Sequence, residues 1–201
     1  ANLKAIFKTG NEVGEKACKL FPEGKQIKYE KNISHNKRIE LTKQYITDGV
    51  KTIYEATFEF DGVLVMVDIL NIDNNGNFEI YEVKSSTWNS KKNLKSIDTY
   101  VKDVSIQYYV LNGCGMKISK ACVTLLDGEY TRGKKENLEK LFFHKDVTKE
   151  VISLQNRISE TLKSFQSTLK IKKTEPIIDI GWHCKNPNTC LAYDYCWKEQ
   201  R

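Results

Sequence analysis

Apolar residues recur at helical spacing in two segments near the start of the chain. In residues 9–20, Val13, Ala17 and Leu20 fall at helical spacing, and residues 35–48 are predicted as a second helix. Phe21-Pro22 ends the first segment, and Gly49 follows the second at the position of a left-handed helix cap. The pattern therefore predicts two helices ahead of the first strand.

Three segments with strand-like spacing follow, and turn sequences separate them. Residues 52–60 and 63–70 alternate loosely on either side of Asp61-Gly62, a dipeptide typical of a tight hairpin. The sequence DNNGN at 73–77 then turns the chain into a third segment, 78–84. The pattern predicts an antiparallel meander of three strands.

A long amphipathic helix over 94–111 and a strand over 118–126 come next. The helix is expected to bury a stripe comprising Leu94, Ile97, Val101, Val104, Tyr108 and Leu111. Shorter helical stretches are predicted at 137–143 and 147–169.

The order helix, three antiparallel strands, helix, strand predicts an α/β fold with a central mixed β-sheet flanked by helices. We expect a single domain over 1–201. Its core spans about 9–128, and a helical, cysteine-bearing C-terminal extension spans about 129–201.

The composition is that of an ordinary globular protein with a moderate basic excess. The 201 residues are 40% hydrophobic and 29% charged, with a net charge of +6. Such a field favours polyanionic partners without proving them. The most apolar run, 63–70, is too short to span a membrane, and no secretory signal is evident. We therefore expect a cytoplasmic protein without a membrane partner. The chain starts in what resembles the middle of a domain, so residues upstream of Ala1 are expected.

Asp68 interrupts the most apolar segment of the chain, VLVMVDIL, where an unpartnered carboxylate is costly to bury. If 74–76 closes the second hairpin, paired residue numbers sum to 150 and Asp68 lies opposite Glu82. Two carboxylates so close repel each other unless a cation lies between them, and Mg²⁺ prefers such oxygen ligands. Lys84 would project from the same face. A one-residue slip would move Asp68 to the other face. The alternative is a solvated edge residue beside an exposed Glu82–Lys84 pair.

A known family shares this arrangement. Asp68, thirteen intervening residues and then Glu82-Val83-Lys84 match the D…(D/E)xK signature of the PD-(D/E)XK nucleases. The predicted long helix contains YVKDVSIQYYVL, which resembles the glutamine-containing motif of the RecB-like branch. The resemblance covers nearly the whole chain and implies a restriction-endonuclease-like core. It carries over to Asp68, Glu82, Lys84 and Gln107 as catalytic residues, with Tyr108 or Tyr109 as a weaker neighbour.

The resemblance implies a metal-dependent DNA nuclease, of the exonuclease type, acting in repair, recombination or defence. Mg²⁺ or Mn²⁺ would be held by Asp68, Glu82 and the Val83 carbonyl, Lys84 would orient the attacking water, and Gln107 would position that pair or the DNA. Partner helicases or other repair or defence proteins fit this interpretation. Two alternatives stay open: a non-catalytic DNA-binding module with the same fold, and an RNA or nucleotide hydrolase.

Three lysines just after the third predicted strand are weaker candidates for DNA contacts. They are Lys91, Lys92 and Lys95, each of which taken alone is more typical of a solvated surface.

The chain departs from the family pattern on its first helix. RecB-like nucleases often carry a histidine ligand there, four residues after a glycine, whereas Gly10 is followed at that distance by Gly14. Glu12 or Glu15 could substitute, although a solvated helix face is the favoured interpretation of both. Glu55 is a further candidate.

Three cysteines cluster near the end of the chain. Cys184, Cys190 and Cys196 are separated by five residues each, in a Pro/Asn-containing segment that suits zinc or an iron–sulfur cluster. Three unrelated reduced thiols are the alternative. AddB-like and CRISPR-associated relatives of the RecB branch hold a 4Fe–4S cluster with three such cysteines and one N-terminal cysteine. Cys18 is expected to pack as a small hydrophobe, so the fourth ligand is expected upstream of Ala1, or His183 completes a zinc site.

Overall fold

A computed structural model of the chain describes residues 3–28, 30, 32–89, 94–171, 174–175, 179–186 and 188–198. The chain divides into two compact units, residues 1–159 and 160–201. The strands are β1 (Lys25–Gln26), β2 (Thr52–Phe60), β3 (Val63–Ile72), β4 (Phe78–Trp88), β5 (Ile118–Asp127) and β6 (Phe142–Asp146). The helices are α1 (Leu3–Cys18), α2 (His35–Thr47), α3 (Leu94–Gly113), α4 (Leu138–Leu141), α5 (Thr148–Ser153), α6 (Gln155–Lys170) and α7 (Tyr193–Lys198).

Within the described residues of the first unit, six strands form one mixed sheet in sequence order, β1 to β6. The meander β2–β3–β4 is antiparallel. Helix α3 then connects β4 to β5, which pair in parallel, and β6 returns antiparallel to β5. A parallel pair needs such a crossover connection, and the long predicted helix supplies it. The protein is therefore a mixed α/β protein with helices flanking its sheet.

Side chains on the two faces of the sheet belong to two separate apolar clusters. On β4, Ile80 belongs to the larger cluster, which α2, α3 and α5 cover, with Val104 and Leu111 of α3 fully buried. Its neighbour Tyr81 belongs to the smaller cluster, which includes Val13 of α1. Adjacent strand residues point to opposite faces, so the sheet lies between two helical layers.

Both predicted hairpins form as the turn sequences require. Asp61 and Gly62 have φ angles of +51° and +71°, the left-handed pair of a two-residue turn that follows the twist of its strands. In the second hairpin, Asp73 N–H donates to the carbonyl of Asn77 at 2.9 Å and closes the three-residue loop 74–76. The predicted loop length is confirmed.

Helix α2 ends as predicted, with Gly49 just beyond it at a φ of +76°. The predicted stripe on α3 is also confirmed where the side chains are described: Val101, Val104 and Leu111 are buried, and Ile97 and Tyr108 pack against the same cluster. The side chain of Leu94 lies outside the described residues.

The region after residue 128 differs from the expectation. The helix predicted over 137–143 is only the four-residue α4, and Phe142–Asp146 forms β6 against β5. Apolar residues at the end of LEKLFF satisfy helical and strand spacing equally, and pairing with β5 decides between them. Residues 129–159 therefore share a compact unit with the core predicted over 9–128.

The second unit contains most of α6, a 3₁₀ turn over Trp182–Cys184 and α7. In this unit, Cys184 is buried, whereas Trp182 and Leu191 are largely exposed. None of the helices in the described part of the chain is long and apolar enough to span a membrane.

Candidate functional site

The β3–β4 ladder brings Asp68 and Glu82 side by side. Its last backbone pair is Ile69 with Tyr81, in the register in which paired residue numbers sum to 150. Asp68 and Glu82 are the next opposed positions in this register, and the repulsion between their carboxylates is one cause of the raised pKa of Asp68. Oδ2 of Asp68 accepts the main-chain N–H of Val83 at 2.7 Å, so a carboxylate replaces the strand carbonyl where the ladder ends. The predicted register is confirmed.

Asp68 is in an environment that opposes its ionisation. Burial, together with repulsion from Glu82 and more weakly from Glu55, raises the pKa of Asp68 to about 7, although the Val83 N–H and Lys84 act in the opposite direction. Two neighbouring carboxyl groups cannot both ionise cheaply at a buried position. A cation between them would remove that penalty.

Glu82 is buried, with 8% of its surface exposed, and each of its oxygens has a partner. Oε1 lies 2.8 Å from Nζ of Lys84. Oε2 accepts a 2.6 Å hydrogen bond from Nε2 of Gln107, whose own Oε1 is buried without a partner among the described residues. Glu82 is thus oriented from two sides, and the Gln107 carbonyl oxygen is left available to a further donor.

Lys84 lies between two carboxylates. Its ammonium is 2.8 Å from Glu82 and 2.9 Å from Oδ2 of Asp103, and it lies over the ring of Tyr100, 5.3 Å from the centroid. Burial lowers the pKa of Lys84, but attraction to Glu82 and hydrogen bonds to Glu82 and Asp103 outweigh it, so the pKa rises above its usual value. Lys84 is therefore a permanent cation near neutral pH.

One face of α3 matches one face of β4. Three contacts join them in antiparallel order: Tyr100 Oη with Ser86 Oγ at 2.6 Å, Asp103 Oδ2 with Lys84 Nζ at 2.9 Å, and Gln107 Nε2 with Glu82 Oε2 at 2.6 Å. The helical rise over three or four residues nearly equals the strand rise over two, which lets successive pairs meet. The site is held by this match between the two elements.

Asp103, Tyr100 and Ser86 were not singled out from the sequence. The signal that finds them is spacing: Asp103 precedes Gln107 by four residues on a helix and therefore shares its face. Ser86 continues the Glu82–Lys84 alternation along the strand.

Glu55 lies opposite Asp68 on the other side of β3. The β2–β3 ladder pairs Tyr54 with Ile69 and Ala56 with Val67. Glu55 and Asp68 lie between these two pairs and are not themselves a backbone pair in the ladder. Glu55 has a φ of +57°, an uncommon value in a strand. Burial, then repulsion from Glu82, raises the pKa of Glu55, while Arg38 lowers it. Three carboxylates thus occupy neighbouring positions across β2, β3 and β4.

Helix α1 has no histidine at the position that the family pattern would use. A side chain added at Gly14 would meet no atom within 4 Å of its Cβ. Glu12 and Glu15 are exposed, as the solvated-face interpretation predicts, and Glu12 pairs with Lys8 at 3.9 Å. Cys18 packs against the smaller apolar cluster, and burial, with repulsion from Asp68 and Glu55, raises its pKa to about 11.

The remaining nuclease candidates are less informative. Lys91 and Lys92 lie outside the described residues, as does the side chain of Lys95. Tyr108 packs against the larger core cluster. Tyr109 donates to Oδ2 of Asp61 at 3.3 Å, in the first hairpin turn.

The predicted metal ligands of the carboxylate site and of the cysteine tail differ in how close together they lie. In the described ranges, no three His, Cys, Asp or Glu side chains gather as a preformed metal-ligand group. The site on β3 and β4 offers two carboxylates and the Val83 carbonyl instead, an oxygen set suited to Mg²⁺ or Mn²⁺.

The three tail cysteines do not form a ready ligand set. Cys190 N–H donates to the carbonyl of Cys184 at 2.8 Å, and Cys196 lies in α7. His183, the alternative fourth ligand, has Nε2 2.8 Å from the carbonyl of Asp179. The cluster stays a prediction.

Comparisons with known proteins add little to this geometry. No family model matches the chain, and no curated protein matches it at a significant level. Among solved structures, the chain is similar to one described as "Crystal structure of SSO0001", at 12% identity over 81% of this chain and 71% of that chain, with a TM-score of 0.31. At these values the similarity assigns neither a fold family nor an activity.

Proposed function

We propose that the chain is a metal-dependent DNA nuclease of the RecB-like type, built on a restriction-endonuclease-like core. One observation carries the proposal: the Asp68–Glu82 carboxylate pair lies at the end of a strand ladder with the Lys84 ammonium 2.8 Å from Glu82. A surface ion pair would leave these groups exposed, whereas Glu82 is buried and burial raises the pKa of Asp68.

The proposed cation site consists of Asp68, Glu82 and the Val83 carbonyl. The donor set fits a small divalent cation because all three ligands are oxygens and two carry charge. Bound there, Mg²⁺ or Mn²⁺ would polarise the scissile phosphate and acidify a bound water.

The side chains around the cation site have separate roles. Lys84, held as a permanent cation, stabilises the negative charge that develops on the phosphate in the transition state. Gln107 orients Glu82 through Nε2, and its Oε1, which has no partner among the described residues, accepts a hydrogen bond from the attacking water or holds the DNA. A proton-accepting role is not assigned to Lys84, since its neighbours keep it protonated.

Wider parts of the proposal rest on the family resemblance. DNA is the proposed partner, with the lysines after β4 as phosphate contacts, and a helicase or another repair or defence protein in the cytoplasm as its associate. The cysteine tail is proposed to hold a 4Fe–4S cluster, or zinc, but it takes no part in the steps above because its described thiols are not gathered.

A cleavage assay tests the proposal directly. End-labelled single-stranded and duplex DNA are incubated with and without Mg²⁺ or Mn²⁺, in parallel with RNA of the same sequence. We expect metal-dependent cleavage of DNA that Asp68→Asn and Glu82→Gln each abolish. Asp98→Asn, the same charge change at an exposed site on α3, is the matched control and should cleave normally.

Two results would redirect the proposal. DNA binding without cleavage under any metal condition would favour the non-catalytic module. Faster cleavage of RNA than of DNA would favour the RNA hydrolase.

A further inference from the structure

The contact between Lys84 and Asp103, at 2.9 Å, has no role assigned in the proposed reaction. Lys84 has a flexible four-carbon side chain, and such a side chain points its charge only where neighbours hold it. Its ammonium has two carboxylate partners, Glu82 at 2.8 Å and Asp103 at 2.9 Å. Only one of these partners, Glu82, also belongs to the proposed cation site.

Asp103 is well placed to hold the ammonium from the neighbouring helix. It lies on α3, whose Val101 and Val104 are buried against the sheet, so its main chain is anchored by the core. Its side chain is 45% exposed, against 24% for that of Lys84. A half-exposed carboxylate contributes little to the free energy of unfolding. On a helix that the core holds in place, it can still fix the position of a neighbouring cation.

The two partners of Lys84 are not equivalent during a reaction. Glu82 divides its oxygens between Lys84 and Gln107, and in the proposed function those oxygens also face the cation site. Any turn of the Glu82 carboxylate toward that site weakens its hold on Lys84. In the described part of the chain Asp103 bonds only to Lys84, and with the Tyr100 ring it would keep the ammonium in place.

We propose that Asp103 is the positioning residue for Lys84: it holds the ammonium beside the reacting phosphate while Glu82 serves the cation site. The inference rests on the proposed nuclease function for its catalytic consequence, but the fixation of Lys84 by Asp103 is testable without any cleavage.

The kinetic test compares three variants on the same DNA substrate with Mg²⁺. Asp103→Asn removes the charge, Asp103→Glu keeps it on a longer side chain, and Asp98→Asn removes an equivalent charge from an exposed site on α3. Misplacing a catalytic group by about 1 Å costs roughly 100-fold in rate, so we expect kcat of Asp103→Asn to fall by about 10- to 100-fold. KM should stay within about twofold, since ground-state binding is not removed. Asp103→Glu should recover part of the loss.

An NMR measurement gives a readout that does not depend on activity. In a ¹⁵N-labelled chain, the Nζ resonance of Lys84, assigned by its absence in Lys84→Ala, should be observable because two carboxylates hold the ammonium. It should persist in Asp98→Asn and in Asp103→Glu, and it should be lost in Asp103→Asn at unchanged thermal stability.

The outcomes separate this inference from the nuclease proposal. If the unaltered chain cleaves nothing, the Nζ resonance alone decides, and its loss in Asp103→Asn still supports fixation. A resonance that persists in Asp103→Asn, or a kcat that is unchanged in that variant, overturns the inference. Lower thermal stability with unchanged kcat also overturns it, because Asp103 would then only tie α3 to β4.

Discussion

The carboxylate site and the cysteine tail were both predicted from the spacing of a few residues, and the structure treats them differently. Asp68 and Glu82 lie on paired strands, and the three-residue loop between the strands sets the register that makes them opposed. The tail has turns and a six-residue helix, and its thiols range from buried Cys184 to exposed Cys190. Spacing along the chain predicts which side chains come together where paired strands fix the register. It predicts this less well where the residues are joined by turns.

The largest expected effect is on the free energy of unfolding, and it compares a leucine of the sheet core with a leucine of the tail. Leu111 is fully buried against the sheet, and Leu111→Ala should lower the free energy of unfolding by about 2–5 kcal/mol, because a cavity replaces packed atoms. Leu191 in the tail is fully exposed, and Leu191→Ala should change the free energy of unfolding by less than about 0.5 kcal/mol. Urea denaturation of both variants measures the difference. Equal losses would mean that the tail contributes to the same core.

Lys84→Ala comes next and tests the carboxylate site alone. Loss of a cation that acts in the transition state should lower kcat by about 100- to 1,000-fold. Folding and metal affinity should change little. Kinetics and a metal-binding titration, with Lys149→Ala at an exposed position on α5 as control, measure this. Retained turnover would point to another site or to a contaminating nuclease.

The pH dependence of stability should show the cost of pairing the carboxylates. Folding raises the pKa of Asp68 from 3.8 to about 7, so the folded chain keeps a proton that the unfolded chain releases in this window. The contribution of Asp68 to the free energy of unfolding of the metal-free protein should therefore fall as pH rises from 3.8 to about 7, by roughly 1.4 kcal/mol per pH unit for one proton. Glu55, whose pKa is also raised, adds in the same direction. The lowered pKa values of Asp73, Glu136 and Asp146 act in the opposite direction, so the Asp68 contribution is obtained by comparison with Asp68→Asn.

Denaturation at several pH values tests this, with Asp68→Asn flattening the slope and Asp98→Asn leaving it unchanged. Added Mg²⁺ should flatten it as well, because a cation relieves the repulsion. A slope that Asp68→Asn leaves unaltered would assign the titration to other groups.

The smallest effect is expected in the tail. Cys190→Ser should leave DNA cleavage and the stability of the first unit unchanged in this chain, since Cys190 is exposed and outside the carboxylate site. A longer, anaerobically purified chain should contain about four iron and four sulfide per protein if the tail holds a 4Fe–4S cluster. One zinc per chain would favour the Cys₃His site, and the absence of both metals would remove the cluster from the proposal.

Much of the central sheet could be predicted from the sequence because its determinants are local. Asp61-Gly62 and DNNGN specify the two hairpins, and β2 begins and ends where its alternation does, at Thr52 and Phe60. Gly49 ends α2 with a left-handed residue that few other side chains tolerate. These features depend on the backbone conformation of a few consecutive residues, and the residue types at those positions determine that conformation.

The edge strands could not be predicted in this way. β1 has two residues and β6 five, and each exists because a neighbouring strand offers free hydrogen-bonding groups. Such short segments have too few residues to show a period of their own.

The candidate site shows the same division. The chain itself determined that Asp68 is opposed to Glu82 and that Lys84 lies beside Glu82, because loop length and the two-residue spacing on β4 settle both locally. Only the tertiary structure decided that Asp103 and the Tyr100 ring lie beside Lys84, since those contacts join α3 to β4. Spacing places Asp103 and Gln107 on one face of α3, but only the packing of α3 on the sheet brings that face against Lys84 and Glu82, whose carboxylate, with that of Asp103, keeps Lys84 charged.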